Sequence, residues 1–516
     1  IHKRMAEEHE YTGSEPDFQS VDVNSLASSE GKSVGPEHVG LEAMKHLGFF
    51  RIFEQLEFSK KHVDLASLLV VGRLIQPSSE RKLKIFAKEE SGLDELLNTD
   101  FSEIANNNAL YETSDLLFSH KDVIEQHLRE CSKYLFGLGE SIILYDLTNT
   151  HFEGSTSYYE KAKHGRSKQK RNDCPLVTLG IVLDENGFLK TSQIFEGNIS
   201  EPSTLMEMVK KIHNHSIMQN LPFEKPTVVI DAGIATQKNL DKLKSEGFSY
   251  IVVSRSKPKD IPEPQFIEIK KGVKVHSFTQ DDEIFVHCVS DGKTKKEEAM
   301  ITKARANMEK SLEYLRDGLS IKGRLKKHDK VLERIGRLRN KYRRVSHAYD
   351  IHVKDNAKNA THITWSFDEN KLGKPYNGSY FLRTNRNDLS ETRLWSIYTM
   401  LTIVEDAFRS LKDELGLRPN FHQKGHRIEG HIFITVLAYH LLHYIRYKLN
   451  SVGLFHRWST IKSWLSTHRI LTTSLPKQGA GVVHIRHCTT PTLKQQEIYS
   501  ALGIANVPLR KRKTTT

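Results

Sequence analysis

Two short stretches of the sequence place an aspartate directly after a run of aliphatic and β-branched residues. In "SIILYD" the run leads to Asp146, and in "TVVIDAG" it leads to Asp231 and a glycine turn. Such runs are typical of buried strands. Because an unpaired charge is costly to bury, we expect each aspartate to be capped, paired or bound to a metal ion.

Two aspartates at neighbouring strand ends could hold divalent metal ions. Like charges that lie close together need a cation between them. Two Mg²⁺ ions about 3.5–4 Å apart are a common device for phosphoryl transfer on nucleic acid, and Mg²⁺ keeps positions open for water and phosphate. The alternative is that each aspartate only caps the turn or helix that follows it. For either aspartate considered alone, capping is the simpler interpretation. The presence of both aspartates on one sheet favours a metal site.

A third carboxylate is available in the segment "IYTMLTIVEDAFRSLKDELGLRP". Its apolar residues recur every three or four positions and predict one amphipathic helix: Leu401, Val404, Phe408, Leu411 and Leu415. Tyr398, Glu405 and Lys412 are spaced to form a single row beside that stripe. Glu405 could complete a metal site, while Tyr398 and Lys412 could hold DNA phosphates. The alternative is an ordinary amphipathic helix, with Glu405 and Arg409 as a solvated ion pair.

The composition restricts the class of protein. The chain has 516 residues, which suggests two to four domains, and its 38% hydrophobic and 27% charged residues are ordinary for a globular protein. A formal charge of +12 favours a polyanionic partner. The four scattered cysteines form no CxxC pair, which argues against a zinc ribbon or a disulfide scaffold.

Other motifs exclude further classes. There is no GxxxxGK[ST] motif, which disfavours a nucleotide cofactor. The longest apolar stretch, residues 432–445, is too short to span a bilayer and predicts a buried helix rather than a membrane protein. The chain begins at Ile1 rather than Met, so we expect a preceding N-terminal piece.

Changes in pattern along the chain predict six segments. In chain order, they are a loosely ordered polar segment, a helical domain, the first part of an α/β core, an insertion with a charged helical stretch, the second part of the core, and a C-terminal region with a basic tail. The expected ranges are 1–40, 41–135, 136–256, 257–390, 391–450 and 451–516.

The excess positive charge is concentrated in residues 321–345, which contain eleven Lys or Arg and two acidic residues. This segment could hold DNA phosphates without base stacking, since Tyr342 is its one aromatic residue. A solvated helix face is the alternative. The candidate DNA-binding residues are Lys322, Arg324, Lys326, Lys327, Arg343 and Arg344.

Five histidines follow in the C-terminal helices, without an HExxH motif or a nearby cysteine. This pattern favours helix packing or DNA contacts over a zinc site. They are His422, His426, His431, His440 and His443.

Taken in order, these motifs resemble the DDE transposases of bacterial and archaeal insertion sequences. The similarity extends over blocks such as "RLIQPSSERKL", "LYDLTNTHFEG", "EDAFRSLKDELGLRP" and "RIEGHIFITVLAYHLL". The match is to the group with a Tyr-Arg-Glu-Lys signature and a long insertion before the glutamate. Tyr398, Glu405 and Lys412 fit the signature, but its arginine falls at Leu401. Our hypothesis is that Arg409 supplies the guanidinium instead.

The resemblance implies an RNase H-like α/β core with a mixed sheet, split by an insertion domain and preceded by a helical region. Asp146 would lie on the first strand, Asp231 on the fourth and Glu405 on a helix after the insertion. The two aspartates would hold two Mg²⁺ or Mn²⁺ ions and Glu405 one of them. On this interpretation Asp146 is buried together with a cation.

The implied reaction is cleavage at the element ends followed by strand transfer into target DNA. The implied partners are double-stranded DNA and a second copy of the chain, in the cytoplasm and nucleoid of a prokaryote. Two other functions fit the same residues. One is a stand-alone RNase H-like nuclease, and the other is a non-catalytic descendant that only binds DNA.

Overall fold

The computed structural model describes residues 9–10, 17–139, 141–153, 159–165, 173–214, 225–356, 358–372 and 378–516. The chain divides into two compact units. The first comprises Ile1–Phe248 with Thr399–Thr516, and the second comprises Ser249–Tyr398. The part of the predicted loose segment at 1–8 and 11–16 lies outside the described residues, as does the end of the "LYDLTNTHFEG" block at 154.

The helices of the described residues are α1 (Gly35–His46), α2 (Phe49–Gln55), α3 (Lys60–Ile75), α4 (Glu80–Glu89), α5 (Leu93–Leu97), α6 (Phe101–Ile104), α7 (Asn107–Ser119), α8 (Lys121–Phe136), α9 (Glu201–Asn214), α10 (Gln237–Ser245), α11 (Asp291–Gly318), α12 (His328–Lys341), α13 (Arg343–Ser346), α14 (Glu391–Thr399), α15 (Leu401–Arg409), α16 (Gly425–Ser451), α17 (Trp458–Leu465) and α18 (Leu493–Leu502).

The strands of the same residues are β1 (His9–Glu10), β2 (Ala27–Ser33), β3 (Ile142–His151), β4 (Leu176–Asp184), β5 (Leu189–Glu196), β6 (Thr227–Ile230), β7 (Ser249–Val253), β8 (Ile267–Lys270), β9 (Val273–Gln280), β10 (Glu283–Ser290), β11 (Tyr349–Asp355), β12 (Ala360–Phe367), β13 (Ser379–Thr384), β14 (Arg469–Pro476), β15 (Val482–Cys488) and β16 (Arg512–Thr515).

The core of the first unit is a mixed sheet in the order β5–β4–β3–β6. β3 pairs antiparallel with β4 and parallel with β6. β4 and β5 form the hairpin that the segment "LVTLGIVLDENGFLKTSQIF" and its turn signal "DENG" predict. β4 is buried along its whole length, as its largely apolar sequence predicts. The first strand of the core is therefore central, with the second on one side and the fourth on the other. This arrangement confirms the prediction of an RNase H-like α/β core.

Helix α16 passes through the helical part of the first unit. It packs against α1, α3 and α7, and its apolar stretch is buried on nearly every side. Because all its faces meet protein, its sequence shows little amphipathic periodicity. In the part of the chain that the structure describes, no helix is long and apolar enough to cross a membrane.

A second sheet of the first unit brings the two ends of the chain together, in the order β1–β16–β15–β14–β2. Residues 27–33 therefore form a strand, in contrast to the loose structure expected for 1–40, because β14 supplies backbone partners for β2. The expected basic tail likewise enters this sheet, since β16 pairs with β15. Both expectations relied on local composition, which gives no information about pairing with a strand that is distant in the sequence.

The second unit, 249–398, extends beyond the expected insertion at both ends. Its antiparallel strands follow the order β7–β13–β10–β9–β8, and β11 pairs with β12. Helices α11 and α12 pack with the β11–β12 hairpin around a small core that includes Met308, Leu312 and Val331. The predicted charged helical stretch of the insertion forms the helices α11, α12 and α13. The chain leaves the helical conformation at 319–327, where Gly323 adopts a φ of +84°.

Candidate active site

Asp146 lies in the middle of β3, not at its end as the sequence pattern predicted. The strand continues to His151 because β4 pairs along its length, opposite Asp146 at Ile181. Only the parallel pairing with β6 ends near Asp146. The side chain is half-buried.

Asp146 and Asp231 occupy matching positions on neighbouring parallel strands. The last registered pair between β3 and β6 is Leu144 with Val229. Asp146 lies two residues further along β3, and Asp231, also two residues further, directly follows the end of β6. Neighbouring strands are about 4.8 Å apart, and residues two positions apart along a strand share one face. The structure thus brings these two candidates side by side where β6 stops, with Asp231 exposed.

Asp231 also caps the turn that follows it, as the alternative interpretation held. The backbone N–H of Ile234 donates a hydrogen bond to its Oδ1 at 3.1 Å. Capping engages one oxygen of a carboxylate that has two, so capping and metal binding are compatible. The hydrogen bond fixes the carboxylate against the turn and limits its rotation.

A fourth carboxylate, which the sequence reasoning missed, lies beside Asp231. A Cβ atom built on Gly233 would lie 3.0 Å from Asp231 Oδ1 and 3.1 Å from Glu201 Oε2. The two carboxylates therefore face the same small space, which only a glycine leaves open. Glu201 is the first residue of α9, after a turn that gives no strand-end signal, so only the packing identifies it.

The negative charge of this region affects the pKa of the buried Tyr145. The Tyr145 hydroxyl forms a hydrogen bond with Thr204 Oγ1 at 2.6 Å. Burial raises the pKa of Tyr145, and the negative charges of Asp146, Glu207 and Glu201 raise it further. Several carboxylates therefore lie close enough to Tyr145 to raise its pKa by their negative charge. Such a concentration of oxygen donors and negative charge fits a divalent cation.

Glu405 lies on α15, which packs against β3, the strand of Asp146. Val404, Ala407 and Phe408 form the buried face of the helix, and Glu405 is exposed. The next residue, Asp406, connects α15 to α16. Arg446 of α16 donates to Asp406 Oδ2 at 3.0 Å and to Ser410 Oγ at 2.9 Å.

The predicted single helix through Tyr398, Glu405 and Lys412 is wrong. Helix α14 ends at Thr399, α15 begins at Leu401, and residues Ser410–Glu414 form a π-helical turn. A π turn changes the angle per residue, so the seven-residue spacing does not define one row. The apolar stripe is largely as predicted, since Val404, Phe408, Leu411 and Leu415 are buried and Leu401 is half-buried.

The other signature residues have separate surroundings. Tyr398 belongs to the second unit, where its ring lies 5.8 Å from that of Tyr380. Lys412 Nζ lies 5.3 Å from the ring of Phe408. Arg409 pairs with Asp406 at 3.3 Å, not with Glu405 as the alternative interpretation expected, and its side chain is 63% exposed.

The six basic candidates all lie in the second unit, but the structure places them on a loop and a short helix. The loop at 319–327 carries Lys322, Arg324, Lys326 and Lys327, and α13 carries Arg343 and Arg344. All are exposed except the half-buried Lys326. The guanidinium of Arg324 lies 4.4 Å from the ring of Tyr314. On α12, in contrast, Glu333 pairs with both Lys330 and Arg337.

The five histidines separate into distinct environments. His440 and His443 both lie on α16, where His440 is buried and His443 is half-buried. His443 Nε2 contacts the Asn186 carbonyl at 3.0 Å. His426 is more exposed and lies near Asp115. His422 and His431 instead come together with Glu80, a residue of α4 more than 300 positions earlier in the chain.

Comparison with known protein families gives a match to the transposase DDE domain over residues 137–441, more than half of the chain. The chain belongs to the DDE transposase family. The match includes Asp146, Asp231 and Glu405, and it confirms the family that the sequence motifs resemble. This transposase matches no curated protein.

Among solved structures, the transposase is similar to the piggyBac transposase in its synaptic complex with hairpin DNA, determined by cryo-EM. The TM-score is 0.35 at 8% identity, covering 79% of this chain and 70% of the other. The family assignment rests on the domain match.

Proposed function

We propose that this DDE transposase cleaves DNA at the ends of an insertion sequence and transfers the ends into target DNA, using Asp146, Asp231 and Glu405. The observation that carries the proposal is the equal offset of Asp146 and Asp231 from Leu144 and Val229, the last registered pair of β3 and β6. It is supported by the packing of α15, which carries Glu405, against the same strand.

The donor set of this site consists of carboxylate oxygens, which suits Mg²⁺ or Mn²⁺ better than a soft metal. Asp146 and Asp231 would hold two ions and Glu405 one of them. When bound, the ions supply an activated water for cleavage and an activated 3′-hydroxyl for strand transfer. Glu201 lies close enough to Asp231 to act as an additional ligand or to orient it.

The DNA contacts come from cationic and hydroxyl groups outside the carboxylates. Lys412, Arg409 and Tyr398 would hold DNA phosphates. The exposed cations of the 319–327 loop and α13, in the second unit, would also hold DNA phosphates, without reading the base sequence. We further propose that two copies act together on a pair of element ends, in a prokaryotic cytoplasm.

The decisive experiment compares wild type with Asp231→Ala on DNA that carries the element flanks. We expect Mg²⁺-dependent cleavage by wild type, no cleavage by Asp231→Ala, and DNA binding by both within a few-fold. Asp241→Ala is the matched control, because Asp241 is an exposed aspartate on the next helix that contacts Gln237. Equal cleavage by Asp231→Ala and wild type would remove Asp231 from the site.

The same assay separates the alternative functions. A stand-alone nuclease would cut without end specificity and give no joined product, whereas a DNA-binding descendant would not cut as wild type either. The replacement of the signature arginine has its own test. If Arg409 holds a phosphate, Arg409→Ala should weaken end binding and cleavage, and unchanged values would contradict that role.

A further inference from the structure

The cluster of Glu80, His422 and His431 lies in the helical part of the first unit and is not needed for the proposed reaction. One potential ligand atom from each side chain lies within 4.8 Å of the others. His422 Nε2 is 3.3 Å from Glu80 Oε1. Two ligands bound to one tetrahedral zinc ion at about 2.0–2.1 Å are about 3.3 Å apart, so this pair already has the required separation.

The third member carries an unsatisfied nitrogen. His431 is 7% exposed, and its Nε2 has no hydrogen-bond partner among the described residues. Glu80 is similarly buried, at 4% exposed. A buried nitrogen without a partner costs about 1–3 kcal/mol, and an ion bound between the three side chains would remove that cost.

From this geometry we propose that Glu80, His422 and His431 form a second metal site, for a borderline transition-metal ion such as Zn²⁺. Imidazole and carboxylate ligands together suit Zn²⁺ rather than Mg²⁺. Three protein ligands leave a fourth position, which water fills. The site is separate from the carboxylates of Asp146 and Asp231 in both its residues and its donor chemistry.

The tautomer of His431 decides whether the site can bind metal. A metal on Nε2 requires the proton on Nδ1 and an acceptor for it. The backbone carbonyl of Gly416 lies beside the ring and is available as that acceptor. Arg73 NH2 also lies 3.1 Å from Nδ1, and as a donor to Nδ1 it would keep the proton on Nε2. Arg73 therefore competes with the metal, both through this contact and through its charge.

Metal at this site would link three distant segments. Glu80 begins α4, His431 lies in α16, and His422 belongs to the loop between α15 and α16. That loop is paired with the end of β3, since Asn420 N donates to the His151 carbonyl and Glu153 N donates to the Asn420 carbonyl, each at 3.0 Å. The ion would therefore fasten the loop that runs beside the strand of Asp146.

The test is metal binding by the full chain, in buffer containing millimolar Mg²⁺ to occupy the carboxylate site. We expect one equivalent of Zn²⁺ to remain after dialysis. Co²⁺ in its place should give the intense visible absorption of a tetrahedral nitrogen-containing site. Added Zn²⁺ should also raise the melting temperature. Less than a stoichiometric amount of Zn²⁺, or a Co²⁺ spectrum of the weak octahedral type, would overturn the proposal.

Substitutions of the three proposed ligands test whether they are the residues that bind Zn²⁺. His422→Ala, His431→Ala and Glu80→Gln should each weaken Zn²⁺ binding by about 100-fold or more. His426→Ala, a nearby and more exposed histidine, should have no effect. Arg73→Gln should bind Zn²⁺ more tightly. If His431→Ala does not fold, Glu80→Gln retains the size of the side chain and gives the same answer. Zn²⁺ binding that persists in both His422→Ala and Glu80→Gln would contradict the assignment.

Zinc binding should also be unchanged in the double variant Asp146→Asn/Asp231→Asn. This comparison separates the second metal site from the proposed catalytic one. Loss of zinc in the double variant would place the ion at the carboxylates instead and overturn the proposal.

Discussion

Asp146 and Asp231 each lie two residues beyond Leu144 and Val229, the last pair that joins β3 to β6 in parallel register. This equal offset places both carboxylates at the same level of the sheet, on adjacent strands. A shift of either strand by one residue would turn one of them to the opposite face. The register of two short strands thus determines whether the pair can act together.

Because the two aspartates would share their ions, their substitutions should not be additive. Asp146→Asn and Asp231→Asn should each lower the single-turnover cleavage rate by about 1,000-fold or more, and the double variant should be no slower than either. Quenched-flow assays on a labelled element end would measure this. A double variant much slower than both single variants would indicate that the aspartates contribute independently.

Gly233→Ala should lower activity without unfolding the protein. The added methyl would lie 3.0 Å from Asp231 Oδ1 and 3.1 Å from Glu201 Oε2, so one carboxylate must move. We expect at least a tenfold loss of cleavage, since small displacements of reacting groups are costly, and little change in melting temperature. Gly336→Ala is the control, because a Cβ there meets nothing within 4 Å. Equal activity of the two variants would show that the carboxylates tolerate displacement.

Arg446 is expected to act as a positioning residue for α15. It binds Asp406 on the helix that carries Glu405, and Ser410 in the π-helical turn that follows this helix. Arg446→Met should cost about 1 kcal/mol of stability, since the pair is partly exposed, but should lower cleavage about 10- to 100-fold. The Mg²⁺ concentration for half-maximal rate should rise, which a purely structural role would not produce. Arg446→Lys should recover part of the lost stability and part of the lost cleavage rate.

The 319–327 loop should contribute to the salt dependence of DNA binding. Replacing Lys322, Arg324 and Lys327 with alanine should reduce the slope of log K against log salt by about 2 to 3, if each residue neutralises one phosphate. Lys330→Ala/Arg337→Ala is the matched control, because Glu333 already pairs with both side chains. A wild-type affinity that does not change with salt would exclude phosphate contacts by this unit.

Glu37 should make stability depend on pH. Burial raises the pKa of its carboxyl from 4.5 to about 7, although Ser33 Oγ donates to Oε2 at 3.0 Å. The folded state thus binds this proton more tightly than the unfolded state. Stability is therefore greatest below pH 4.5 for this group and falls as pH rises to about 7, by about 3 kcal/mol.

Glu37→Gln should remove this loss, because glutamine does not ionise. Urea unfolding of wild type and variant at pH 5 and pH 8 would measure the difference between them. A difference that stays constant between the two pH values would mean that the Glu37 carboxyl ionises as readily in the folded protein as in the unfolded chain.

Several elements of the fold could be predicted because their signals are local. The apolar runs before Asp146 and Asp231 identified β3 and β6, and the turn between β4 and β5 identified their hairpin. The break between α14 and α15 at Met400 could not be predicted, since the apolar spacing continues across it. The same holds for β2, whose polar sequence forms a strand only because β14 pairs with it.

The sequence by itself determined the mixed α/β class, the family resemblance and the carboxylates at 146, 231 and 405, because these depend on residue types and on periodicity within short segments. Only the tertiary structure placed Asp146 and Asp231 at equal offsets from the last β3–β6 pair, brought Glu201 beside Asp231 and assembled Glu80 with His422 and His431. Each of these relationships joins segments that are distant in the chain. Their proximity arises from strand pairing and helix packing, which no local pattern of residues encodes.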